Sequence, residues 1–134
     1  METRKVLLVD DDPDLLRTSK ELLERKGFHV VVYDRAFNSS NFIASERPDL
    51  VLLDVNMPFL SGDRLFSLFQ KDQVLRKIPV VFFSSNDENS LRALVRETGA
   101  LGYICKSEMG GDFPKKVAKF LEQVPTRAAE SAME

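Results

Sequence analysis

One feature of this chain constrains its fold more than any other: short apolar runs alternate strictly with amphipathic stretches. The runs fall at residues 6–9, 30–33, 50–53, 80–83 and 103–105, and are rich in Val, Leu and Phe. Consecutive apolar residues leave no polar face, so both sides of each run must be covered. Strands of a parallel sheet flanked by helices read this way. The intervening stretches carry helix signals. Asp12-Pro13 offers an N-cap followed by proline at the first helical position. Leu15, Leu16, Leu22 and Leu23 then share one face, and Gly27 ends the helix. A weaker second helix is expected over about residues 37–46, with Pro48 setting the turn into the next strand. Gly62 precedes a third helix carrying Leu65, Phe66 and Phe69. Asp87 caps a fourth, with Leu91, Leu94 and Val95 on one face and Gly99 at its end. A fifth starts near Asp112, with Pro114 in its first turn and Val117, Phe120 and Leu121 facing inward. Five strands alternating with five helices imply right-handed crossovers and a doubly wound α/β domain. No internal repeat competes with that reading.

The length of 134 residues suits one domain, expected over residues 1–124. Residues 125–134, from Pro125 onward, lack periodicity and read as a frayed end or linker stub. Net charge is −2 with both signs interspersed, so no basic stripe marks a nucleic-acid surface. No apolar run approaches the ~20 residues of a membrane span. The start of the chain has no signal-like stretch, and the single Cys105 has no internal disulfide partner. A cytoplasmic protein is expected, with no direct contact to nucleic acid or membrane.

In such a sheet the working site lies beyond the carboxyl ends of the strands. Asp10, Asp11 and Asp12 follow the first run, Asp54 the third, Ser84 and Ser85 the fourth, and Lys106 the fifth. Each has an ordinary explanation when taken alone. Asp12 reads as a cap, Ser84 as a strand-end serine and Lys106 as a solvated lysine. Their arrival at one edge from distant parts of the chain is harder to explain piecemeal. Crowded carboxylates raise one another's pKa and call for a positive partner. Hard oxygen donors without neighbouring His or Cys suit Mg²⁺. A carboxylate beside such an ion can attack a phosphoryl group, with metal and lysine stabilising the transferring oxygens. Other residues read as structural. His29 is expected at a surface or strand edge, Cys105 as a small core residue, and Phe66, Phe69, Phe82 and Phe83 as core.

The motifs "LLVDDDP", "DLVLLDVNMPFLSG", "PVVFFSS" and "GYICK" occur in order, with Ser84 30 residues and Lys106 52 residues after Asp54. This constellation resembles the receiver domains of two-component response regulators, over residues 4 to about 122. The resemblance implies a flavodoxin-like (βα)5 fold with strand order 2-1-3-4-5. It implies Asp54 as phosphoryl acceptor. Mg²⁺ (or Mn²⁺) would be held by Asp10, Asp11, Asp54 and the backbone carbonyl of Asn56, with Asp11 the more direct ligand of the acidic pair. Ser84 stands at the switch hydroxyl, Lys106 at the active-site lysine and Tyr103 at the aromatic switch position. Pro58 and Gly62 match the loop after the acceptor. The donor would be a sensor histidine kinase or a histidine phosphotransfer protein. A downstream protein would read the face of the fourth helix, fifth strand and fifth helix, and a homodimer could form on phosphorylation. Such a domain catalyses its own phosphorylation and dephosphorylation rather than acting as a conventional enzyme.

Three positions depart from the family pattern. The usual Lys-Pro is Lys106-Ser107. A cis bond before serine costs about 3 kcal/mol or more, so either a trans bond with a re-routed loop or a strained cis bond is expected. Gly110-Gly111 offers room for re-routing. Ser85 replaces a commoner alanine, and Phe59 occupies a position more often polar. Phe59 reads equally as a lid on Leu60 or as a partner contact. The Lys-Ser departure motivates an alternative, a pseudo-receiver that binds partners constitutively without phosphorylation. An aspartyl phosphatase of the haloacid-dehalogenase type is disfavoured, because Asn56 stands where its second aspartate would be.

Overall fold

The computed structural model describes residues 3–124; the expected tail at 125–134 lies outside the described residues. The elements are β1 (Lys5–Val9), α1 (Pro13–Glu24), β2 (His29–Tyr33), α2 (Ser39–Glu46), β3 (Leu50–Leu53), α3 (Gly62–Gln70), β4 (Val80–Ser84), α4 (Glu88–Thr98), β5 (Gly102–Cys105) and α5 (Phe113–Glu122). Short 3-10 turns lie at Leu75–Lys77 and Lys106–Glu108. All strand pairs are parallel, in the order β2-β1-β3-β4-β5, which is the flavodoxin-like topology expected.

The alternation of side chains along each strand separates two cores. Leu7, Val9, Val51, Leu53, Val80 and Phe82 pack with Ile43 of α2, Leu65, Phe66 and Phe69 of α3, and Leu91 of α4. Val6, Leu8, Leu50, Leu52, Val81, Phe83 and Ile104 pack with Leu16 and Leu23 of α1 and Phe113, Val117 and Leu121 of α5. Both faces are therefore covered, which is why the strands carry no polar alternation. The four phenylalanines expected in the core are buried there.

Local chemistry explains where the helices begin. The Asp12 carboxylate accepts from the N–H groups of Asp14 and Leu15, so it caps α1 as its sequence context suggests. Asp87 caps α4 through Ser90 N–H, and Gly99 ends that helix at φ 81°. Two boundaries move. Helix α2 starts at Ser39 rather than near Phe37, because Asn38 adopts a left-handed conformation at φ 64°. Asparagine tolerates that region better than most residues, and Phe37 is left 82% exposed. Gly62 is the first residue of α3, with Ser61 at the cap position. A Cβ at Gly62 would lie 1.9 Å from the Asp54 carbonyl oxygen, so this close approach requires glycine. Cys105 is half-buried at the edge of one core rather than fully inside it, because β5 is an edge strand. His29 is exposed, as expected.

Candidate functional site

The chain leaves β1 for β2 on one side and returns through β3 on the other, so strand order reverses between β1 and β3. That crevice is where open α/β sheets bind ligands. Val9 pairs with Leu53, which brings Asp10 and Asp54 side by side just past the strand ends. Backbone bonds hold both: Asp10 N–H donates to Tyr33 O at 3.1 Å and Asp54 N–H to Val9 O at 3.0 Å. The residues are each only 2% exposed. Asp11 is exposed, yet one carboxylate oxygen from each of Asp10, Asp11 and Asp54 lies within 4.8 Å of the others.

Lys106 supplies a positive charge to this cluster. Its Nζ lies 2.8 Å from Asp10 Oδ2 and 3.2 Å from Asp54 Oδ1. Among the described residues no peptide bond is cis. The Lys106–Ser107 bond is trans, and a 3-10 turn begins at Lys106 itself. Burial pulls the Lys106 ammonium down, but Asp10 and Asp54 together outweigh it and hold the pKa above the ordinary lysine value. Burial pushes the Asp10 carboxyl above its usual range, against the opposing pull of Lys106 and the Asp12 N–H; the Asp54 charge adds to the rise. Asp10 Oδ1 accepts from Asp12 N–H at 2.9 Å. Asp10 Oδ2 is buried and meets the Lys106 ammonium as an ion pair at 2.8 Å.

Ser84 ends β4 and is fully buried. Its Oγ accepts from Asn56 Nδ2 and from the Asn86 backbone N–H, both at 3.2 Å. Asn56 Nδ2 also donates to Asn86 Oδ1 at 2.8 Å. The fold thus gathers Asp10, Asp11, Asp54, Asn56, Ser84 and Lys106 at one edge. Tyr103 points elsewhere: its hydroxyl donates to Glu88 Oε1 of α4 at 2.7 Å. That bond holds the phenol pKa above its usual value. Arg92 Nη2 pairs with the same carboxylate at 3.3 Å. Asn86 and Glu88 escape a reading of the sequence because each acts across a gap that only folding closes. The one signal available was their place beside the Asp87 cap, directly after Ser84. Phe59 is fully exposed at φ 69° and so is not a lid packed on Leu60.

The chain is similar to known proteins over most of its length. The family model of the response regulator receiver domain matches residues 6–118. Protein RcaC of Microchaete diplosiphon is 31% identical over 120 residues, covering 90% of this chain and 18% of that protein. The phosphate regulon transcriptional regulatory protein PhoB of Klebsiella pneumoniae is 31% identical over 134 residues, covering 98% of this chain and 57% of its own. The chain thus spans just over half of one relative and under a fifth of the other. The structure of the chemotaxis response regulator CheY4 of Vibrio cholerae superposes with a TM-score of 0.79 at 19% identity. It covers 89% of this chain and 99% of that one, a likeness of fold. With a family match across most of its length, the chain belongs to the receiver domains of two-component response regulators.

Proposed function

We propose that this chain is a phosphoryl-accepting switch with Asp54 as the acceptor. The meeting of the Asp10, Asp11 and Asp54 oxygens within 4.8 Å carries the reading. Three carboxylates face one ammonium, which leaves two charges to be met. A divalent cation fits that remainder, and the donors are hard oxygens without His or Cys among them. Asp10 Oδ2, paired with the Lys106 ammonium at 2.8 Å, is a buried carboxylate oxygen of the same cluster. Asp10, Asp11, Asp54 and the Asn56 backbone carbonyl would hold Mg²⁺ or Mn²⁺. When bound, such an ion stabilises charge on the transferring phosphoryl oxygens.

The remaining steps belong to the chain. An Asp54 carboxylate oxygen bonds to phosphorus while the P–N bond of a phosphohistidine donor breaks. That bond's electron pair returns to the imidazole nitrogen. Lys106, already 3.2 Å from Asp54, offsets the charge that arrives. The Ser84 hydroxyl donates to a phosphoryl oxygen. Movement of Ser84 opens space into which Tyr103 turns, breaking its bond to Glu88. The face of α4, β5 and α5 then changes shape for a downstream protein, or for a second copy of the domain. The domain, over residues 1–124, also promotes slow loss of its own phosphoryl group. We place this activity in the cytoplasm, with a histidine kinase or phosphotransfer protein as donor. Among the described residues no helix is long and apolar enough to cross a membrane.

The alternative is a constitutive interaction module, motivated by Lys106-Ser107. The position of Lys106 within 3.2 Å of both carboxylates favours the phosphoacceptor reading. Intact-mass spectrometry after incubation with acetyl phosphate separates the two. The expected result is a gain of one phosphoryl group that requires Mg²⁺ and is absent in Asp54→Asn. No gain in the wild type, together with no Mg²⁺ binding, would establish the constitutive module instead.

A further inference from the structure

We infer that Ser19 is a positioning residue for phosphoryl transfer, acting through the Met109 side chain on the turn that carries Lys106. The inference rests on Asp54 being the acceptor. Lys106 opens the 3-10 turn Lys106–Glu108. Met109 N–H closes it by donating to Lys106 O at 3.2 Å, so Lys106 and Met109 move as one unit. The peptide bond after Lys106 is trans and leads to serine, so no prolyl ring stiffens the backbone there. Beyond Met109 come Gly110 and Gly111, where even a Cβ would meet nothing within 4 Å. The turn is therefore held by what its own side chains touch.

Two side chains at the turn reach neighbouring helices. Glu108 pairs with Lys116 of α5, but both are part-exposed, and water screens such pairs. Met109 goes inward and packs against the core that α1 and α5 share. There the Ser19 hydroxyl of α1 donates to Met109 Sδ at 3.3 Å. Ser19 is fully buried, so its hydroxyl has no water to turn to and needs an acceptor inside the protein. A methionine side chain is unbranched and fits several shapes, so burial alone leaves its sulfur loosely placed. The Ser19 bond selects one placement. Ser19 thus fixes Met109, Met109 fixes the turn, and the turn aims Lys106 Nζ at Asp10 and Asp54.

The test has a spectroscopic part and a kinetic part. The Met109 methyl signal in a proton–carbon NMR spectrum is identified by its loss in Met109→Leu. It should move in Ser19→Ala, while the signal of Met57, in the other core, stays in place. An unmoved Met109 methyl would overturn the inference, whatever the rates. The kinetic part follows intact mass with time in acetyl phosphate and saturating Mg²⁺. An Asp54 oxygen bonds to phosphorus, the bridging P–O bond breaks, and its electron pair leaves on acetate. Ser19→Ala and Met109→Leu should each slow uptake about threefold, the low end for one net hydrogen bond, as a sulfur acceptor implies. The double variant should be no slower than either single one, because both remove the same bond. In a Lys106→Met background, Ser19→Ala should change the rate by less than about 1.5-fold, because the group it positions is gone. Losses that multiply in the double variant, persist without the lysine, or fail to appear in its presence would each overturn the inference. Thermal melting of Ser19→Ala within about 2 °C of wild type is expected; a larger drop would assign Ser19 to stability instead. Absence of any uptake by the wild type, with the methyl shift intact, would overturn the acceptor reading, and with it the role assigned to Ser19.

Discussion

Replacing Gly62 by alanine tests how tightly the acceptor loop is built. In an ordinary helix this change stabilises by about 0.5–1 kcal/mol. At Gly62 the new Cβ would fall 1.9 Å from the Asp54 carbonyl oxygen and 2.8 Å from its carbonyl carbon. Both groups are backbone and cannot rotate away. Either α3 or the segment after β3 must shift by about an ångström, which costs about 1–3 kcal/mol as overpacking. The shift also strains the 2.9 Å bond from Gly62 N–H to Val55 O, worth about 1 kcal/mol. Strain exceeds propensity, and a net loss of about 2 kcal/mol follows. For a domain of this size that lowers the melting temperature by about 8 °C. Two glycines calibrate the result. A Cβ at Gly110 meets nothing within 4 Å, so alanine there should change stability by less than about 0.5 kcal/mol. At Gly102 the obstacle is the Phe120 ring at 2.4 Å, a movable side chain, and an intermediate loss is expected. Differential scanning fluorimetry without added metal measures all three. A Gly62→Ala protein that melts within 2 °C of wild type would refute the argument that packing against Asp54 excludes a side chain.

Three other outcomes follow from the same geometry. Asp10→Asn should raise the melting temperature of the metal-free protein at neutral pH, because burial makes the ionised carboxyl costly. The folded pKa lies above the unfolded one. This group's contribution is therefore fully present below the ordinary aspartate value of 3.8 and is lost as pH rises through the raised folded value. The gap between variant and wild type should widen over that window, and a variant less stable at pH 7 would contradict it. Glu88→Ala should bring the Tyr103 phenol down towards its ordinary pKa, because the bond to Glu88 is the chief cause of the rise. Ultraviolet titration resolves this readily with only two tyrosines in the chain, and an unchanged curve would refute it. Phe82→Ala should cost about 3–5 kcal/mol, whereas Phe59→Ala, at a fully exposed side chain, should cost under about 0.5 kcal/mol; urea denaturation compares the two.

Much of this architecture could be read along the chain, for physical reasons. Strand runs without a polar face imply cover on both sides, and Asp12-Pro13, Asp87 and Gly99 mark helix ends through bonds made within a few residues. Such signals are local, so the order of elements was legible, as were the residues that end each strand. Boundaries were less so where one backbone conformation decided them, as at Asn38. What the tertiary structure alone decided is which of those strand ends become neighbours. Parallel pairing of β1 with β3 sets Asp10 against Asp54 across more than forty residues of chain. The 3-10 turn at Lys106 delivers the ammonium to both without a proline. The Asn56–Asn86–Ser84 contacts and the Tyr103–Glu88 bond join segments whose sequences show no sign of each other. Hydrogen-bond geometry between such segments depends on sheet register and helix placement. Those are properties of the whole packed domain, not of any window of its residues.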